Sequence, residues 1–288
     1  MNKTIYKSSA GHTTLMAFYD ANLKRWPVAY ECLTVPARHG KTHLIASGSP
    51  DAPPLVLMRG AGGNALLWAP AVVHLSRNFR TYAVDVIGES GKSAPNRPSY
   101  KGPAYGKWIV DVFDALKIER ANVAGISRGG WLTLKIAHFA PERIHRIVPM
   151  CPEGIVVVSP KFYMHMLPVL LFPSRKTVTR LLRFLTPPNL PVHEYLVEER
   201  AIVYKTFRQS WMRPPMFTDD ELRQIGAPTL LLYGEQEVGY DMNALRKRAA
   251  RLPANFQIEL IPNAGHLLDY DQPEAVSARI VKFIRNET

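Results

Sequence analysis

The stretch ANVAGISRGGWLTLKIAHFA, residues 121–140, decides the fold of this 288-residue chain. It opens with a short apolar run of the β type and ends with residues at helical spacing. The two parts meet at GISRG, residues 125–129, which has the form G-x-S-x-G. Between a strand and a helix, this pattern predicts a sharp, strained turn that exposes the hydroxyl of Ser127. The flanking glycines would let the strand and the helix pass without a Cβ clash.

Similar β-type runs alternate with helical stretches over most of the chain. After residue 53 the runs are mostly apolar and do not alternate regularly, as is typical of strands buried on both faces. They are PPLVLM, FRTYAVDV, RANVAGI, RIVPMC, PTLLLYG and FQIELIP. This order predicts an α/β protein with a doubly wound, mostly parallel sheet. Upstream, residues 29–47 have the pattern of a β-hairpin, and residues 12–25 have that of an amphipathic helix.

The alternation stops between residues 154 and 224. This segment is rich in Leu, Met, Phe and Tyr and has eight prolines, which predicts short helices broken by turns. The strand and helix order resumes after Pro228. We therefore predict three parts, with the first part of the core at residues 1–153, a helical lid at 154–224 and the second part of the core at 225–288.

Composition and charge narrow the class of protein. No run approaches the roughly 20 apolar residues that span a bilayer, and the N-terminus lacks the pattern of a cleaved signal. We therefore expect a cytoplasmic protein without membrane insertion. The 36 Lys and Arg outnumber the 24 Asp and Glu, but without long basic runs or a nucleic-acid-binding motif no nucleic-acid partner is expected. Cys32 and Cys151 each lie within or at the end of an apolar run of the β type, and both are predicted to be buried thiols.

His266 is the predicted partner of Ser127. A serine hydroxyl is a weak nucleophile until a neighbouring base accepts its proton. His266 follows the run FQIELIP in a loop and precedes a final helix that begins near Pro273, so it belongs at the carboxyl edge of the sheet. The other eight histidines lie in the N-terminal segment, in helices, at a strand entrance or in the lid, where surface or packing roles are expected.

Glu237 is the predicted acid that orients the histidine. It ends LLLYGEQE, residues 230–237, where a strand gives way to a loop one βα unit before His266. Asp241 and Glu235 are nearby alternatives, and Glu153 is a more distant one.

Two backbone N–H groups are expected to bind the oxyanion that forms during acyl transfer. The N–H of Arg128 follows the nucleophile, and Ala61 lies in the glycine-rich loop RGAGGN, residues 59–64. This loop lacks the lysine of a phosphate-binding P-loop.

With these motifs in place, the chain resembles the α/β-hydrolase superfamily from about residue 30 to residue 284. The resemblance rests on RGAGG, DVIGESGKS, GISRGG, APERI, PTLLLYGEQE and NAGHLLDYDQPEAV, and within the superfamily it is greatest with lidded bacterial carboxylesterases. It implies an eight-stranded sheet with helices on both faces and a helical lid inserted after strand six. The chain departs from the family at Arg59, where histidine is common, and at Glu237, where aspartate is common.

The resemblance implies hydrolysis of a small-molecule carboxylic ester through an acyl-enzyme on Ser127, without a metal or a cofactor. We expect a monomer or a homodimer. Lactone hydrolysis or C–C bond cleavage remains open because one scaffold supports several reactions, and a non-catalytic ligand receptor is a further alternative. Between Lys161 and Arg213 the sequence has nine Lys and Arg but only three Glu. Because this excess of positive charge lies in the predicted lid, a substrate whose acyl group is negatively charged is another open possibility.

Overall fold

The computed structural model describes residues 5–210 and 212–287. Its eight strands form one sheet in the order β1-β2-β4-β3-β5-β6-β7-β8. β1 pairs antiparallel with β2 and β2 with β4, whereas all other neighbours are parallel. The strands are β1 (Tyr30–Val35), β2 (Thr42–Ser47), β3 (Pro54–Met58), β4 (Arg80–Val84), β5 (Ala121–Ile126), β6 (Ile144–Met150), β7 (Thr229–Gly234) and β8 (Phe256–Ile261).

Eleven α-helices accompany the sheet over the described ranges. They are α1 (Ser9–Leu23), α2 (Ala69–Leu75), α3 (Ala104–Ala115), α4 (Arg128–Phe139), α5 (Pro160–Leu171), α6 (Arg175–Leu185), α7 (Glu194–Thr206), α8 (Asp219–Arg223), α9 (Met242–Ala249), α10 (Leu268–Asp271) and α11 (Pro273–Arg285). Two short 3₁₀ helices cover Ala65–Trp68 and Pro141–Arg143. Within the described ranges, no helix combines the length and the apolarity needed to cross a membrane.

The main hydrophobic core lies between the sheet and the helices that cover it. α4 packs on β5 and β6 with α3 beside it, while α11 packs on α2 and reaches β6. Every residue of β5 is buried, which explains why its sequence is apolar except for Asn122. The predicted doubly wound α/β sheet is confirmed, and the predicted hairpin is formed by β1 and β2.

Cys32 corrects one prediction. We expected two buried thiols, and Cys151 is buried, but Cys32 is exposed. The reason is that β1 is the edge strand of the sheet, and most of its residues are exposed. A β-type run at an edge is covered less completely than the same run in the middle of a sheet.

Four helices, α5 to α8, lie between β6 and β7. α5, α6 and α7 share an apolar cluster of their own, separate from the main core, that includes Val169, Leu181 and Leu196. The far end of α7 is held by the N-terminal segment. There the Lys7 N–H donates to the Thr206 carbonyl at 2.8 Å, and the Arg208 N–H donates to the Ile5 carbonyl at 2.7 Å.

Glycines set the distance between α4 and the sheet. A Cβ built on Gly129 would lie well inside 3.0 Å of the Met58 carbonyl oxygen at the end of β3, and one on Gly125 would overlap the Gly129 carbonyl in the same way. Both obstacles are backbone atoms that cannot rotate away. The strand and the helix can therefore meet at this point only without side chains.

The Gly129→Ala substitution tests this constraint. We expect it to destabilise the fold by about 3 kcal/mol or more because the added methyl overlaps packed backbone, and to lower the melting temperature measured by calorimetry. Gly226→Ala is the matched control, since a Cβ there meets no atom within 4 Å. An unchanged melting temperature for Gly129→Ala would contradict the close approach.

Candidate active site

Ser127 lies at the turn between β5 and α4 with a backbone φ of 56° and ψ of −115°. A positive φ is strained for a residue with a side chain. Hydrogen bonds hold this conformation: the Ser127 N–H donates to the Met150 carbonyl, and the Ser127 carbonyl accepts from the N–H groups of Trp131 and Glu153. The predicted strained turn between strand and helix is therefore present.

His266 and Glu237 form a buried hydrogen-bonded pair. The distance between His266 Nδ1 and Glu237 Oε2 is 2.8 Å, and Glu237 Oε1 accepts the Gly239 N–H at 2.6 Å. The His266 N–H donates to the Leu185 carbonyl, which fixes the backbone that carries the ring. Because Glu237 engages Nδ1, the other ring nitrogen is left for the cavity that both His266 and Ser127 line.

The surroundings of the pair favour its charged form. Burial lowers the pKa of His266, but the charge and the hydrogen bond of Glu237 outweigh burial, so the pKa of His266 lies above its usual value. Burial raises the pKa of Glu237, yet the charge of His266 and the hydrogen bonds outweigh it, and the pKa of Glu237 lies below its usual value. The carboxylate is therefore ionised at neutral pH and stabilises a protonated imidazole.

The alternative acids make other contacts. Asp241 caps α9 by accepting the N–H groups of Asn243 and Ala244, and Glu235 is exposed. Glu153 lines the cavity but pairs with the Arg128 guanidinium at 3.7 Å.

Ala61 and Arg128, which the sequence predicts as the oxyanion donors, line the cavity together with Ser127. The loop that carries Ala61 is held from both sides at Gly62. The Gly62 N–H donates to Glu89 Oε2 at 2.7 Å, and the Gly62 carbonyl accepts from Ser90 Oγ and from Arg200 Nη2, each at 2.7 Å. Arg200 belongs to α7, so the helices between β6 and β7 contact the predicted oxyanion loop directly.

Arg59 links that loop to the histidine loop. Its guanidinium forms a buried ion pair with Asp269, three residues after His266, and lies over the rings of Trp68 at 5.1 Å and Tyr270 at 5.8 Å. The residue that departs from the family pattern thus joins two segments that are 210 residues apart in the chain.

Sequence reasoning missed Glu89, Arg200, Tyr240 and Asp269. Glu89 lies inside the quoted motif DVIGESGKS and Asp269 inside NAGHLLDYDQPEAV, so a signal existed for both without indicating a role. The Tyr240 ring centroid lies 5.5 Å from that of His266, and its side chain interacts with Ser127. Neither Tyr240 nor Arg200 belongs to a motif that could have indicated its position.

Cys151, Glu237 and His266 are the one group in the described part of the chain whose atoms are close enough to share a metal ion. The 2.8 Å between His266 Nδ1 and Glu237 Oε2 is the distance of a direct hydrogen bond. Two such ligands on a tetrahedral zinc would lie about 3.3 Å apart, given metal–ligand distances of about 2.05 Å. The distance observed here is that of a hydrogen-bonded pair.

The cavity has a volume of about 240 Å³. Arg59, Gly60, Ser127 and His266 line it. The segment between β6 and β7 contributes the polar residues Arg200, Gln209 and Arg213 and a larger apolar group, formed by Phe162, Met166, Leu170, Leu181, Leu182, Leu185 and Leu196.

The chain is similar to known proteins over most of its length. Residues 55–279 match the model of the alpha/beta hydrolase family. Carboxylesterase YbfK of Bacillus subtilis is 36% identical over 276 residues, which cover 92% of each chain. The crystal structure of that esterase superposes with a TM-score of 0.86 and covers 97% of this chain and 100% of its own, with 32% identity.

A second solved structure, naproxen esterase (carboxylesterase NP) of Bacillus subtilis, has a TM-score of 0.85 at 34% identity and covers 96% of this chain and 99% of its own. These similarities extend over both halves of the sheet and the helices between them. The family model alone matches well over half of the chain. The protein belongs to the alpha/beta hydrolase family.

Proposed function

We propose that this protein is a serine carboxylesterase. The observation that carries the proposal is that Ser127, at a strained turn, shares one cavity with His266, whose Nδ1 is held by Glu237. This arrangement supplies a nucleophile, a base and an orienting carboxylate in the order and roles of a hydrolytic triad. The esterases to which the chain is similar support the choice of an ester as substrate.

The reaction follows from the proposed roles. His266 Nε2 accepts the Ser127 proton as Oγ attacks the ester carbonyl, and the N–H groups of Ala61 and Arg128 bind the oxyanion. The protonated imidazole then donates its proton to the leaving alcohol. Water, deprotonated by the same nitrogen, attacks the acyl-enzyme and releases the acid and the serine hydroxyl.

We further infer that residues 154–224, which carry α5 to α8, act as a lid. Support comes from the apolar cluster that α5, α6 and α7 share apart from the main core, and from the apolar lining that these helices give the cavity. The cavity, with a volume of about 240 Å³ and many apolar lining residues, suits an apolar acyl group.

Ser127→Ala is the primary test. The variant lacks the nucleophile, so we expect it to lose p-nitrophenyl ester hydrolysis by about 10³-fold or more and to lose covalent labelling by a fluorophosphonate probe. Ser210, the other described serine that lines the cavity, provides the control, and Ser210→Ala should still be labelled. Labelling or full turnover by Ser127→Ala would rule out the assignment, and binding without turnover in the wild type would favour a receptor.

Glu237→Gln tests the role of the acid through pH dependence. In the wild type, kcat/KM should fall as the pH drops through the raised pKa of His266, because the protonated ring cannot accept the serine proton. Removing the carboxylate charge lowers the pKa of His266, so the acid limb of the profile should move to lower pH while kcat drops about 10²- to 10⁴-fold.

The matched control is Glu237→Asp, which keeps the charge and should keep the acid limb close to its wild-type position. An acid limb that does not move in the Gln variant would show that Glu237 does not act on the catalytic base.

We assign Arg59 a positioning role in this mechanism. Its ion pair with Asp269 ties the oxyanion loop to the histidine loop, so it fixes the distance between two parts that must act on one substrate. Removing only one charge leaves the other buried without a partner, whereas removing both restores an apolar interior.

Arg59→Met is therefore expected to lower stability by about 3–5 kcal/mol, and Arg59→Met with Asp269→Leu should regain most of that stability. If the pair positions the two loops, kcat measured on a p-nitrophenyl ester stays low in the stable double variant while KM changes little. Recovery of kcat together with stability would mean that the pair serves the fold alone.

A further inference from the structure

Helix α5 presents apolar side chains on two sides. On the inner side, Phe162, Met166 and Leu170 line the cavity that contains Ser127. On the outer side, Met164, Leu167 and Leu171 recur at intervals of three and four residues, which places them in one stripe along the helix. We call this stripe, together with Phe172 at the end of the helix, the α5 face.

The α5 face is open to solvent. The exposed fractions of Met164, Leu171 and Phe172 are 71%, 60% and 72%. Ten large apolar side chains of the described residues are exposed, and five belong to α5 or its cap, Tyr163 and the four residues of the α5 face. Scattered exposure needs no explanation, but a continuous exposed stripe marks a surface that contacts something else.

The segment that contains α5 carries charge of one sign along the sequence, and of its basic residues Arg175 is paired with Glu194 and Glu198 of α7. Residues 154–193 contain five Lys and Arg and no Asp or Glu. Lys161 and Lys176 are exposed and form no ion pair with the described carboxylates. Arg213 lies over the Tyr163 ring at 4.5 Å and adds a further positive charge beside the helix.

A partner that covers the α5 face must therefore match both its apolar side chains and the positive charge beside them. A second copy of the chain would bring like charges together, and a neutral apolar partner would leave the positive charge without a counterpart. An anionic lipid surface satisfies both, because its acyl region accepts apolar side chains while its headgroups attract lysine and arginine. At 12 residues, α5 is about 18 Å long and too short to span a bilayer, so it would lie in the plane of the surface.

We propose that the α5 face adsorbs to anionic phospholipid membranes. The apolar stripe enters the interface, and the basic residues contact the headgroups. Since the inner side of the same helix lines the cavity, adsorption would place the cavity next to esters dissolved in the lipid. This last consequence rests on the proposed function, whereas the adsorption itself does not.

The test is co-sedimentation of the full chain with lipid vesicles, measured on the Ser127→Ala variant so that binding is independent of turnover. Vesicles of phosphatidylcholine mixed with phosphatidylglycerol should bind the protein at least about tenfold more strongly than phosphatidylcholine alone. High salt should weaken the binding. Adding Met164→Glu and Leu171→Glu should reduce it at least about tenfold, because two charges replace apolar anchors.

The matched control adds Leu260→Glu and Tyr30→Glu, which makes the same change in charge at exposed apolar residues on β8 and β1. It should bind vesicles as the parent does. With Ser127 restored, both pairs of substitutions should leave hydrolysis of a water-soluble p-nitrophenyl ester unchanged, which confirms folding.

Equal loss of binding in the two variants would show that net charge alone matters and would overturn the proposal. Absence of vesicle binding would also overturn it. A wild-type dimer in light scattering that Met164→Glu with Leu171→Glu dissociates, without binding to vesicles, would assign the α5 face to a second copy of the chain.

Discussion

The backbone conformation of Ser127 is the constraint on which the site depends. Holding a non-glycine residue at positive φ costs about 1–3 kcal/mol, and the surrounding structure must supply that energy. Hydrogen bonds from β6 and α4 fix the turn, and the missing side chains of Gly125 and Gly129 let three backbone segments meet around it. The hydroxyl therefore projects into the cavity without any freedom of the main chain.

Buried charge organises the rest of the site. Arg59 with Asp269, Arg200 with Glu199 and Arg128 with Glu89 are ion pairs of buried or nearly buried side chains next to the cavity. Isolated charges at these depths would be very unfavourable, and even paired charges gain little net stability. What the pairs provide is orientation. Arg59 with Asp269 and Arg128 with Glu89 join elements that are distant in the sequence, and the carboxylate of Glu89 also binds the backbone of Gly62.

The sequence was sufficient to predict the sheet and to place three residues in the loops that follow its strands. The placement of Ser127, Glu237 and His266 near one another could be predicted because each follows a recognisable strand, and parallel strands bring their carboxyl ends to one edge. The contacts of Arg59 with Asp269 and of Arg200 with Gly62 could not be predicted, because no regular sequence spacing relates these residues to their partners. Cys32 was misjudged because an apolar run does not reveal whether its strand is central or at an edge.

The inserted helices show another limit of sequence reasoning. Phe162 and Met166 face the cavity while Met164 and Leu167 face solvent, although composition treats all four as equally apolar. A helix with apolar residues on every side gives no periodic signal that separates its inner surface from its outer one. Core packing explains only some of the apolar residues in this segment. Which of the others face the cavity and which face solvent is known only from the structure.

Helix α7 is attached at two places, and this limits how far it can move when a substrate enters the cavity. Its far end is bonded to the N-terminal segment, and its Arg200 holds the Gly62 carbonyl beside Ala61. If α7 moved outward, the Gly62 carbonyl would lose its hydrogen bond from Arg200. The proposed oxyanion loop would then lose one of its supports while a substrate entered. α7 therefore couples the proposed lid to the loop that carries Ala61.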